Sequence, residues 1–175
     1  MLNVVKMNST IAEKIEIDPY VPVKIRWGQW NLVKEPTIYW RTGDFKNSLI
    51  EIGIASKSGV IRSFTIVHSK DIFLDSTHIE FTKSYVEGTP MFDLSNWPES
   101  GRLDESGIVE IHYNEGELTV ILSKNTVTTK IVSGRIYFGL DTNSNVCAIG
   151  ICEFSDMEKV QISDTLKYMK DQNKV

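Results

Sequence analysis

The chain has 175 residues, of which 41% are hydrophobic and 24% charged, and a formal net charge of −4. That composition excludes disordered, collagenous and disulfide-rich classes and predicts a single globular domain, residues 1–175, large enough for its own core. Lys and Arg are spread singly, which argues against nucleic acid as a partner, and no apolar run is long enough for a membrane span.

The start, "MLNVVKMNSTIAEKIEID", mixes lysines and acids and lacks the apolar stretch of a signal peptide, so the expected location is cytoplasmic. A strand or a short helix is expected around "TIAEKIEI". In "VPVKIRW", Val21, Val23, Ile25 and Trp27 share one face of a strand. After Gly28 the large apolar residues fall on even positions, Trp30 and Leu32. A glycine bulge at Gly28 is predicted to make that change of phase. "LIEIGIAS" and "VIRSFTIVHS" alternate cleanly and predict a hairpin, Leu49–Ala55 with Val60–His68, closed around Gly59.

A short strand is expected near His78–Thr82, followed by an irregular loop over residues 86–106, rich in Gly, Pro, Ser and Asp. Five strands are predicted between Gly107 and Phe154, joined by short turns. Such links make neighbours antiparallel, so the C-terminal half is expected to be a meander. Ser155 and Glu158 match a capping box, but Met157 and Val160 oppose Ile162, Leu166 and Met169 on a helical wheel. The pattern therefore predicts a shorter helix, about residues 163–172, with Ser163 as its N-cap. The fold class is mainly β (α+β): a curved antiparallel meander sheet, as a barrel, half-barrel or sandwich, with a short C-terminal helix.

Catalytic motifs are mostly absent, which leans against an enzyme. There is no H-E-x-x-H, G-x-S-x-G or P-loop. "HIE" at His78 matches half of a zinc-deaminase signature, but Cys147 and Cys152 have the wrong spacing for the other half. Separated by five on one strand, the two cysteines would face opposite ways and could not bridge. No metal ligand set, no cofactor and no catalytic residue is assigned. Asp104, Glu105 and Asp141 read as loop and turn acids.

The aromatic residues point further. Phe92 and Trp97 lie in the loop with Met91 and Leu94, where they either fold back on the core or form a recognition surface. The expected partner-binding residues are Phe92, Asp93, Trp97, Glu99, Asp104 and Glu105. The acids would meet a basic face and speed association.

Two resemblances add to this. Gly28-Gln29-Trp30, early in a β-rich chain of this length, resembles the Gly-x-Trp of lipocalin-type barrels, which implies a cavity for a small apolar ligand. The block "LIEIGIASKSGVIRSFTIV" is similar to a hairpin of small bacterial immunity proteins encoded beside polymorphic toxins. That resemblance implies a non-catalytic protein-binding domain whose partner is a basic protein toxin. The immunity-type function is the leading expectation and the lipocalin-like barrel the alternative.

Overall fold

The computed structural model describes residues 1–30, 34–74, 79, 81–114 and 116–172. In chain order its strands are β1 (Val4–Asn8), β2 (Glu13–Glu16), β3 (Val23–Trp27), β4 (Thr37–Gly43), β5 (Ser48–Ala55), β6 (Ile61–Ser69), β7 (Ile72–Leu74) and β8 (Tyr85–Glu87). There follow β9 (Thr89–Phe92), β10 (Arg102–Ser106), β11 (Glu110–Asn114), β12 (Glu117–Ile121), β13 (Thr129–Ser133), β14 (Ile136–Leu140) and β15 (Val146–Ile151). Helix α1 (Asp156–Gln172) closes the chain.

Three sheets result: β10-β4-β5-β6-β3-β2, β7-β11-β12-β15-β14-β13-β8, and the pair β1-β9. Most pairings are antiparallel; β10 on β4, β7 on β11 and β8 on β13 are parallel. Each large sheet ends in an edge strand at both sides, so neither closes into a barrel. Instead, one apolar cluster draws on both. Ile25, Ile50, Ile52, Phe64 and Ile66 of the first sheet join Ile111, Leu118, Ile136 and Phe138 of the second. The Trp27 and Phe138 rings meet across it, 5.9 Å between centroids.

The predicted hairpin is present as β5 and β6, with Ile52 opposite Phe64. Gly59 closes it at φ +74, and a side chain there would run into the Phe92 carbonyl. Gly28, also at positive φ, ends β3 rather than bulging it. Val23, Ile25 and Trp27 are buried as expected, whereas Val21 precedes the strand and is exposed. Trp30 lies beyond the strand and is half-buried; Leu32 lies outside the described residues.

The C-terminal half corrects the meander. β12 does not pair with β13. The chain leaves β12, crosses the ends of two strands over residues 122–128, and returns through β13 and β14, so that β15 lies beside β12. This is a Greek-key arrangement. The crossing is held by Val127, which is buried against Gly139, and by the Leu122 and Ser123 N–H groups donating to the Cys147 carbonyl. A seven-residue link looks like a turn in sequence, yet it is long enough to step over two strand ends.

Residues 86–106 are also corrected: they hold most of β8, all of β9 and all of β10. Only Gly88 and residues 93–101 lie outside strands. The strand order there comes from distant partners, β13, β1 and β4, which local composition does not reveal. Of the strand expected near His78–Thr82, Ile79, Phe81 and Thr82 are not in a strand, and His78 and Glu80 lie outside the described residues.

The helix starts at Asp156, seven residues before the expected start. Met157 and Val160 are indeed exposed, at 72% and 61%. Its first turns are fixed by polar contacts instead. Ser155 Oγ accepts the Glu158 N–H (3.3 Å) and Glu158 accepts the Ser155 N–H (2.8 Å), a reciprocal capping box. Arg135 forks onto Glu158 at 2.9 and 3.2 Å. Ile162, Thr165, Leu166 and Met169 form the buried face.

Candidate functional site: an apolar sheet edge and its side pocket

The residues expected to bind a partner are only partly brought together. Asp93, Trp97 and Glu105 line one small pocket of about 190 Å³ with Trp40 and Leu103. Phe92 is in the core, 2% exposed, and offers no contact surface. Trp97 folds back and packs against the core, the alternative to an exposed anchor. Glu99 is exposed outside that pocket.

The acids there are engaged within the chain. Arg41 grips Asp104 with two hydrogen bonds, 2.8 and 2.7 Å, and holds its carboxyl below the usual carboxylate range. Glu105 accepts from the Trp40 indole N–H and from the Met1 amino group. Asp93 accepts from the N–H and hydroxyl of Ser95, which lower its pKa and shape a local turn. On this face Asp104 and Glu105 are tied to cationic groups, whereas Asp93 bonds only the neutral donors of Ser95 among the described residues.

A different region has the features of a recognition site. The large sheets expose four edge strands. β2 is guarded by charge: Glu16 pairs with Arg26 at 2.7 Å and Lys14 at 3.1 Å. β10 carries the Arg41–Asp104 pair. On β7 the exposed Phe73 is stacked on His112, 4.6 Å between centroids. On β8, by contrast, Tyr85 is 58% and Val86 40% exposed, with no ion pair among the described residues. Natural sheets usually guard edges with charge, proline or a bulge.

The backbone of β8 is open as well. The Lys130 N–H donates to the Ser84 carbonyl and the Gly88 N–H to the Val132 carbonyl. In a parallel ladder alternate residues face the partner strand. Residues 84, 86 and 88 therefore face β13, and the amide groups of Tyr85 and Glu87 point away from the sheet.

Beside this edge lies a pocket of about 380 Å³, between the outer face of the sheet and residues 79 and 81–85. Ile79, Phe81 and Tyr85 form its apolar side; Lys83 and Lys130 stand at its rim. Its base is Tyr137, whose ring lies across its cross-strand partner Gly150, where any Cβ would collide with the ring. Phe81 meets this ring edge-on at 6.4 Å and the Lys130 ammonium sits 5.5 Å from its centroid. The Tyr137 hydroxyl donates to Glu117 at 2.9 Å and lies 2.9 Å from the Thr119 hydroxyl.

Burial, then the neighbouring Glu117 carboxylate, pushes the Cys152 thiol up to about 11. Burial likewise raises the Tyr137 phenol. Both stay protonated at neutral pH, and a protonated buried thiol is a poor nucleophile. The pocket is thus equipped to hold a side chain by apolar contact and hydrogen bonding.

Sequence reasoning missed this site because "SYVEGTP" reads as the start of a loop. The usable signal was an adjacent exposed aromatic and β-branched residue, Tyr85–Val86, just before Gly88. Cys147 and Cys152 are both free. Among the described residues no three potential ligands gather for a metal, and no helix is long and apolar enough to cross a membrane. No known protein family has a model that matches this chain, and no curated protein is significantly similar to it.

Proposed function

We propose that this chain is a non-catalytic protein-binding domain that takes an extended segment of its partner along β8, with one side chain of that segment in the pocket beside Tyr85. The supporting observation is an edge with outward amides at Tyr85 and Glu87 beside the exposed Tyr85 and Val86 side chains, and no ion pair among the described residues. Strand addition uses main-chain hydrogen bonds for affinity and an adjacent pocket for specificity. Within this reading, the resemblance of residues 49–67 to immunity-type hairpins makes a bacterial toxin the proposed partner, and the net charge of −4 favours a basic one.

The apolar-ligand barrel is the less favoured reading: it calls for a closed barrel, whereas both large sheets here are open, with Phe64 and Phe138 buried in the cluster they share.

The test is capture of the partner from the source cell, followed by hydrogen exchange on the complex. Binding is expected to slow exchange at the Tyr85 and Glu87 amides. A Tyr85→Lys, Val86→Lys double variant should lose the partner while keeping its fold. Unchanged exchange along β8, or full binding by the double variant, overturns the proposal.

A further inference from the structure

A second, wider depression lies beside the β5–β6 turn and shares no lining residue with the β8 pocket. It measures about 670 Å³, within the range of small-molecule sites. Ile11, Trp27 and Val60 supply apolar lining; Lys34, Lys57 and Arg62 supply positive charge.

Glu35 is the acid in this lining, and its carboxylate is committed to the turn. It accepts the Lys57 N–H (2.6 Å), the Ser58 N–H (3.2 Å) and the Ser58 hydroxyl (2.9 Å). Burial opposes its ionisation, but these donors and Arg62 outweigh it and keep it charged. Arg62 is fixed in turn, its Nη1 donating to the Glu35 carbonyl (2.6 Å) and to Thr37 Oγ1 (2.9 Å). Its Nη2 lies 4.0 Å from Glu35. A guanidinium held in this way loses little freedom on meeting an anion.

The Lys34 and Lys57 ammonium groups have no ion pair among the described residues. Three cations therefore surround a cleft with one committed acid, in a chain whose net charge is negative. Trp27, 3% exposed, adds a buried indole N–H with no acceptor among the described residues.

We infer that this cleft binds a small organic anion: a carboxylate or phosphate head held by Lys34, Lys57 and Arg62, and a compact apolar body lying against Ile11 and Val60, above the largely buried Trp27. The charge excess selects the head, and the apolar lining rejects fully hydrated inorganic ions.

Calorimetric titration of the full chain with phenyl phosphate and with phenylacetate tests this, with benzyl alcohol as the neutral control. At least one anion is expected to bind and the alcohol to bind at least about tenfold more weakly. A Lys34→Glu, Lys57→Glu double variant reverses two exposed charges and should raise the dissociation constant about tenfold or more. Binding should also change tryptophan emission, and Trp27→Phe should remove most of that change. Failure of both anions to bind, equal binding of the alcohol, or unaltered affinity in the lysine variant overturns the inference.

Discussion

β8 and β10 arise from one stretch of chain, and both join a sheet edge in parallel, but they finish that edge differently. β10, "RLDES", is bound to β4 by its side chains: the Arg41 fork on Asp104 and the Trp40 indole on Glu105. β8, "YVE", has no such bonds among the described residues and leaves Tyr85 and Val86 in solvent. An edge whose charges are locked to its neighbour resists further pairing; an apolar edge with outward amides invites it. Asp104 and Glu105, which looked like part of a docking face, turn out to be fastenings, and the docking face proposed above lies at the other strand.

The largest test of this contrast is the base of the β8 pocket. Gly150→Val would drive a Cβ into the Tyr137 ring and is expected to cost about 2–3 kcal/mol in denaturant unfolding. It should disturb hydrogen exchange at β8 while leaving β10 as it was.

Glu158→Gln, at the helix start, should cost about 1–2 kcal/mol by removing the charged Arg135 fork, while the glutamine amide oxygen can keep the capping box. Arg135 first, with the Ser155 hydrogen bonds helping and burial opposing, lowers the folded pKa of Glu158 to about 2, against an ordinary 4.5. The folded value is the lower one, so this contribution is complete above about pH 4.5 and fades as pH falls toward 2. Circular dichroism over that range should show the wild type losing its advantage over the Gln variant. Asp104 shifts in the same direction, so acid should loosen β10 as well.

Arg41→Ala should cost less, up to about 1 kcal/mol, because the pair is largely exposed. Its sharper effect is on β10, whose amides should exchange faster while those of β8 do not. The smallest effect on stability, within about 0.5 kcal/mol, is expected for the Tyr85→Lys, Val86→Lys variant, because both side chains are exposed. A loss of stability well above that would mean these residues hold the fold together and are not held in reserve for a partner.

The same contrast explains what the sequence disclosed. The hairpin β5–β6 was legible because Ile50, Ile52 and Ile54 alternate with no distant information needed. β8 and β10 were not, because three to five residues carry little periodicity and their partners lie more than forty residues away. The helix start was legible in the Ser155–Glu158 spacing but outweighed by Met157 and Val160, since Arg135, the residue that makes an exposed first turn tolerable, is twenty-three residues upstream. Of the expected site, Asp93, Trp97 and Glu105 did converge, but a sequence does not show that Asp104 and Glu105 already have partners.

The Greek-key crossing has a consequence for how the chain is made. β13, β14 and β15 are linked by short turns and can zip together as soon as they exist, whereas β12 must wait for β15, with Leu118 meeting Ile151. On the ribosome β12 emerges first. Until β15 arrives, one side of an apolar strand stays unpaired, and long-range pairing of this kind is the slow part of folding. β15 itself, "VCAIGI", has neither charge nor proline across six residues, all buried in the native state. Until β12 and β15 have paired, these two strands are therefore where nascent chains are prone to associate with one another.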